Sequence, residues 1–414
     1  MTTLPMPLKS ITRMCFGPEG VLFVADWKAS RVHALHLPPS SAPADEVYFN
    51  LLDLWSTLGI SPEEGPVVLE DIAMRPGSAE AYVGVSVGTE KAPRVYMVRA
   101  DDTAERVDVG ALSCSSVALE SPPDEDEMFW GNIPRRSYTV TCMVFHDGTL
   151  YVAGLSNQNF ASTLRTFAYP FTDDSVLAQV EMYHVDHRQI ETRAPIRAMS
   201  VIDLDGKAHL LAGYLCVPIV TIPLDEITDG ALIKARTIAE LGAGGYPIAV
   251  LPVSFTNPVS GETVDRVMFI NHYRPSFAVD LSVIVAAQAA EPLRSPMAPG
   301  RMWQFAGDET GENIEVINIS TVYRMVHQGE RLLAARRDLA DGRVELVTYP
   351  PGAIRLTDMV IEEYWWESWE PRTDFDQLIV RQVTAASHQE GHPGEFDRFQ
   401  GPPAGMSMPT PGAR

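Results

Sequence analysis

The most chemically suggestive spacing in the chain is His184-x-x-His187 with Glu191 four residues further on. Imidazole nitrogens and a carboxylate suit a transition metal such as zinc or iron. Cys216 or His272 is available to complete the shell, making His184, His187 and Cys216 the candidate metal ligands. The opposing reading is a pair of surface or loop histidines, because residues three apart on a strand point to opposite faces. Arg13 and Arg197 form a second candidate. Two guanidiniums flanked by Asn and Tyr can grip a carboxylate or phosphate. They can equally pair with Glu70, Asp71 and Glu191 to neutralise a polar channel. No nucleophile elbow, phosphate-binding loop, dinucleotide fingerprint or H-E-x-x-H pair is present, so no catalytic residue is readable.

Composition narrows the partners. The 414 residues carry 54 acidic and 32 basic side chains, a formal charge of −22. Such a chain repels nucleic acid and anionic membranes. Neither the N-terminus nor any apolar run has the form of a signal peptide or a membrane span. The four cysteines, Cys15, Cys114, Cys142 and Cys216, are scattered without a C-x-x-C pair. A cytoplasmic protein with free thiols is the expectation.

The elements that must position these residues are short strands. Turns at Gly20, Gly77, Gly148, Gly206, Gly261 and Gly329 recur at intervals of 57, 71, 58, 55 and 68 residues. After each comes an apolar, β-rich run, the first being Val21–Ala25 and the last Arg331–Ala335. Before each turn is another apolar strand: Ile11–Phe16, Asp71–Met74, Thr141–Phe145, Pro195–Ile202, Pro247–Phe255 and Ile317–Val326. A third strand follows, from Val32–Leu37 in the first unit to Val344–Tyr349 in the last. A more polar fourth run is visible at Arg106–Val109 and Lys234–Leu241. Four-stranded units at this spacing predict an all-β chain: a six-bladed β-propeller, with seven blades as the alternative, carrying a C-terminal extension. Asn50–Leu58 and Val283–Ala290 read as short helices, and Ser61 as a cap.

In a propeller the starts of the innermost strands and the loops after the second strands share one end. That end gathers the candidate ligand-binding residues Arg13, Asp71, Asn157, Arg197, Tyr246, His272 and Asn318 around a central funnel. Asp26, Glu70, Tyr214, Arg336 and Arg337 belong to the same set.

The stretch FGPEGVLFVADWKASRVHAL resembles the opening blade of the NHL, YVTN and SMP-30/gluconolactonase-like propellers. The stretches VAGLSNQNFASTLRTFAYPF and IETRAPIRAMSVIDLDGKAHLLAGYLCVPIVTIPLDEI resemble a group of bacterial propeller proteins. The resemblance covers residues 11–350 loosely and 139–250 best, and implies a fold. In the lactonases of this superfamily, acidic and Asn residues before the inner strands hold a divalent cation. At the corresponding positions here, only Glu70, Asp71 and Asn318 offer such ligands, while Arg13 and Arg197 repel a cation.

Two segments lie outside the blades. Residues 121–137 combine an acidic run, Met128-Phe129-Trp130 and Arg135-Arg136, the makings of a lid, a partner contact or a solvated loop. Glu362–Glu370 reads EEYWWESWE and holds three of the seven tryptophans. Trp365, Trp366 and Trp369 are candidates for partner binding or for docking back on the propeller. Asp376–Val383 is a candidate extra strand for the last blade. The division expected is a propeller over 1–353, a Trp-rich acidic extension over 354–384 and a disordered tail over 385–414. The leading functional expectation is a binding or scaffold propeller that engages another protein or a small anionic ligand at its funnel. The alternative is a metal-dependent hydrolase or lactonase of the SMP-30 type.

Overall fold

Each of the six turn glycines adopts a positive φ, between 60° and 78°, the conformation in which a Cβ is strained. The computed structural model describes residues 8–40, 47–129, 133–215, 218–242, 245–256, 261–272, 276–297, 303–308, 313–317, 319, 322–337 and 343–351. The chain first lays down β1 (Met14–Phe16), β2 (Val21–Asp26) and β3 (Arg31–His36), then short β4 (Asn50–Leu51) and helix α1 (Leu54–Thr57). Next come β5 (Val67–Met74), β6 (Ala81–Val87), β7 (Ala92–Val98) and β8 (Ala104–Arg106), then β9 (Ser113–Ala118). A two-residue ribbon, β10 (Met128–Phe129) and β11 (Ile133–Pro134), precedes β12 (Cys142–His146), β13 (Thr149–Leu155), β14 (Ser162–Ala168) and β15 (Ser175–His184), which turns into β16 (Gln189–Glu191). There follow β17 (Ala198–Leu204), β18 (Lys207–Gly213), β19 (Pro218–Pro223) and β20 (Leu232–Glu240). The rest is β21 (Pro247–Thr256), β22 (Thr263–Asn271), β23 (Ser276–Asp280), α2 (Leu281–Ala289), β24 (Gln304–Phe305), β25 (Ile314–Ile317), β26 (Val322–Gln328), β27 (Arg331–Arg337) and β28 (Val344–Tyr349).

Four sheets have four strands each: β1-β2-β3-β9, β5-β6-β7-β8, β21-β22-β23-β25 and β26-β27-β28-β4. A ten-stranded sheet contains two antiparallel quartets, β12-β13-β14-β15 and β17-β18-β19-β20, joined by a parallel pairing of β15 with β20. The innermost strands touch in a closed cycle: β1, β5, β26, β21, β17, β12 and back to β1. This is a β-propeller.

Packing follows the same cycle. Leu22 and Val24 meet Tyr82 and Val95. Val83 and Val85 meet Leu333 and Leu346, and Ala334 and Leu332 meet Met268 and Ile270. Phe269 and Phe277 meet Leu211 and Ile219, Leu210 and Val220 meet Leu164 and Val180, and Val152 and Phe167 meet Phe23 and Ala34. Sheets covered on both faces need strands apolar at every position. Accordingly every residue of β2 and β6 is buried.

The cycle is not the chain order. Consecutive units would run β1, β5, β12, whereas β1 lies between β5 and β12. The outer strand of the β1 sheet is therefore β9, from beyond the β5 sheet, and the outer strand of the β26 sheet is β4, from near the N-terminus. The sequence reading located neither loan. It also ran one strand through Ile317–Val326, where the structure has the end of β25 and the start of β26. An unbroken apolar run carries no hydropathy signal for such a division. The helix expected over Asn50–Leu58 is confined to α1, because Asn50 and Leu51 pair with Val347 and Leu346. Capping at Ser61 is as expected: its side chain accepts from Glu63 N–H, and Glu64 reaches back to Ser61 N–H.

Candidate functional site

Three innermost strands carry β-bulges at the end where they begin: between Leu69 and Asp71 in β5, Pro247 and Ala249 in β21, and Val322 and Arg324 in β26. A bulge re-aims the side chains beside it. Around this end of the axis, hydrogen bonds connect the whole cycle: five join the starts of neighbouring innermost strands directly, and the step from β21 to β26 runs through His272, which follows β22 and donates its N–H to the Tyr246 carbonyl. The Arg13 Nε donates to the Thr141 carbonyl at 2.6 Å, and the Thr141 hydroxyl donates to the Ile196 carbonyl at 2.5 Å. Arg197 donates to the Tyr246 hydroxyl and lies 4.9 Å from its ring centre. The His272 Nδ1–H donates to the Val322 carbonyl at 2.8 Å. The Arg324 Nε donates to Asp71 Oδ1 at 2.9 Å, and the Met14 N–H donates to Asp71 Oδ2 at 2.6 Å, which returns the circuit to its start.

The ring thus unites Arg13, Asp71, Arg197, Tyr246 and His272, five of the expected ligand-binding residues, all buried. Burial raises the Asp71 pKa, against the pull of the Arg324 and Arg13 guanidiniums and the Met14 N–H. Glu70 accepts from the Ser86 hydroxyl at 2.7 Å. Asn157 is exposed and donates to Asp124 in the loop before β10. Asp26 anchors the N-terminal segment by accepting from Lys9 N–H, Ser10 Oγ and Ala29 N–H. Arg336 pairs with Glu345 across β27 and β28. Asn318, Cys216, Trp365, Trp366 and Trp369 lie outside the described residues.

Sequence reasoning missed Arg324, whose innermost strand it had begun too early. It also missed Arg165, whose guanidinium has no exposed surface and donates to the carbonyls of Glu120, Leu155 and Thr139. Desolvation lowers its pKa to about 10. The recurrence of Arg just ahead of Met, at Arg13-Met14 and Arg324-Met325, was the available signal for the first of these.

A second cluster lies on the hairpin of β15 and β16. His184 is the last residue of β15, His187 is in the turn, and Glu191 ends β16. The turn folds His187 back, so the two imidazoles lie 3.7 Å apart between centres. The opposite-faces argument holds for a continuous strand and fails at this turn. Glu191 Oε1 is 3.3 Å from His187 Nδ1 and 3.8 Å from His184 Nδ1. Burial, and then the neighbouring His187, lower the His184 pKa. Beside the turn, Glu240 at the end of β20 accepts from the Val185 N–H at 3.0 Å, while its Oε2 has no hydrogen-bond partner among the described residues. Burial pushes the Glu240 carboxyl up to about 8. A cavity of about 420 Å³ lined by Leu293, Arg294 and Gln304 opens at the outer side of this sheet.

Among the described residues no helix is long and apolar enough to cross a membrane. No protein-family model and no curated protein matches the chain. Among solved structures, the PQQ-bound form of aldose sugar dehydrogenase from Streptomyces coelicolor aligns over 84% of this chain and 96% of its own, at 11% identity and a TM-score of 0.29. An ancestral GH74 enzyme aligns over 81% of this chain and 55% of its own, so this chain spans about half of it, at 10% identity and a TM-score of 0.28. Drosophila semaphorin 2a aligns over 83% and 74%, at 8% identity and a TM-score of 0.32.

Proposed function

We propose that this protein is a six-bladed propeller acting as a binding scaffold, which engages a partner protein at the end of the ring where the innermost strands begin. The two quartets of the ten-stranded sheet count as separate blades in this reading. The observation that carries it is the closed circuit of hydrogen bonds. It engages both oxygens of Asp71 and the guanidiniums of Arg13, Arg197 and Arg324 in joining neighbouring strands. Groups committed in this way make a rigid platform, on which recognition falls to the surrounding loops. On the rim, Met128 and Phe129 are 50% and 37% exposed, and Phe129 packs edge-on against Tyr138, which itself lies beside Arg197. Apolar side chains displayed over charged ones suit a partner contact.

The lactonase reading requires an axial cation held by Asp71, which would have to displace Arg324. The two readings separate in one experiment. Purified protein is assayed against a panel of lactones with added Ca2+, Mn2+ or Zn2+, and the Met128→Asp/Phe129→Asp variant is compared with wild type in affinity capture. Capture of a defined protein that is lost in the variant, at an unchanged unfolding temperature, is the expected result. Metal-dependent turnover abolished by Asp71→Asn would establish the enzyme instead.

A further inference from the structure

The hairpin cluster stands apart from the axial ring, on the outermost strand of its quartet, and it has the geometry of a ligand set. We propose that His184, His187 and Glu191 bind one divalent first-row metal ion, with Zn2+ the best match to two imidazoles and a carboxylate. Their candidate ligand atoms all lie within 4.8 Å of one another. Metal–ligand bonds of about 2.0–2.1 Å at tetrahedral angles put two ligand atoms roughly 3.3 to 3.5 Å apart. The separations of 3.3 Å and 3.8 Å from Glu191 Oε1 need only small adjustments.

A second observation points the same way. His184 is 3% exposed, yet its Nε2 has no hydrogen-bond partner among the described residues and its Nδ1 is 3.8 Å from the carboxylate. That is beyond hydrogen-bond reach, and buried polar atoms are seldom left this way. A cation between Nδ1 and Oε1 fills that 3.8 Å gap and fixes the ring's proton on Nε2. Asp186 adds a further negative charge close to His184. The Gln189 amide donates to Glu191 Oε1 at 2.7 Å and orients the carboxylate, as groups behind metal ligands commonly do. The His187 side chain is 48% exposed, which opens one side of the ion to water, an anion or a donor from another molecule.

The test uses full-length protein without a polyhistidine tag, stripped with chelator and titrated with Zn2+ alone. One equivalent is expected to bind. The dissociation constant should rise about 100-fold or more in His187→Ala, since even changes behind the ligands cost 10–100-fold. Co2+ should give the visible bands of a four-coordinate ion, lost in Glu191→Gln. Because the His187 ring is half-exposed, its removal leaves the fold intact and the comparison valid even if His184→Ala fails to fold. Absence of saturable Zn2+ binding, or affinity unchanged in His187→Ala and Glu191→Gln, would overturn the assignment.

Discussion

Glu240 shows what a single buried group does in this molecule. It has no exposed surface, one oxygen engaged by Val185 N–H, and a carboxyl pushed up from 4.5 to about 8 by burial. Between those values the folded chain holds a proton that the unfolded chain has released. Stability therefore falls as pH rises through that window, by up to about 1.4 kcal/mol per pH unit, and levels off above it. Glu240→Gln mimics the protonated acid and should abolish this term. The unfolding temperatures of wild type and variant should nearly coincide at pH 5 and diverge towards pH 8, with the variant the more stable. Parallel curves would show that Glu240 ionises normally. The cysteines lie at the inert end of side-chain behaviour: desolvation raises the pKa of Cys15, Cys114 and Cys142, which keeps them as thiols at neutral pH.

At the scale of elements, the turn glycines and apolar second strands were legible because hairpins impose local rules. Gly148 must take a positive φ, and β13 after it must be apolar because sheets cover both its faces. The axial site was half legible. Arg13, Asp71, Arg197, Tyr246 and His272 could be gathered from topology alone, but their engagement with one another depends on bulges and on main-chain carbonyls, which hydropathy does not encode. Arg324 was missed because its strand was begun too early, Arg165 because its partners are main-chain carbonyls, and β4 and β9 because their partners are distant in sequence. Gly154 in β13 marks a contact of the same kind. A Cβ there would lie 2.0 Å from the Thr139 carbonyl oxygen and 2.5 Å from its carbon, and that same oxygen accepts from Arg165. Backbone cannot withdraw as a side chain can, so Gly154→Ala should cost about 3 kcal/mol, the upper end for overpacking. Urea unfolding measures this, and an unchanged midpoint would contradict the close approach.

For the whole molecule, the permuted cycle makes the N-terminal region a double closure. Its β4 completes the β26 sheet, and its β1, β2 and β3 are completed in turn by β9. The apolar clusters between sheets hold the ring from outside, and the hydrogen-bonded circuit holds it at the axis. The binding-scaffold account requires that the axial charges work for the ring. The pair that joins β26 to β5, Arg324 with Asp71, is nearly buried on both sides. Breaking a buried pair leaves its partner uncompensated and typically costs about 3–5 kcal/mol. The most direct test is a double-mutant cycle by chemical unfolding, with Arg324→Met, Asp71→Asn and the double variant. The account predicts a loss of about 3 kcal/mol or more in each single variant and a double variant less destabilised than the sum of the two. Small, additive losses would contradict it, and would return Asp71 to the pool of groups available for a ligand or a reaction.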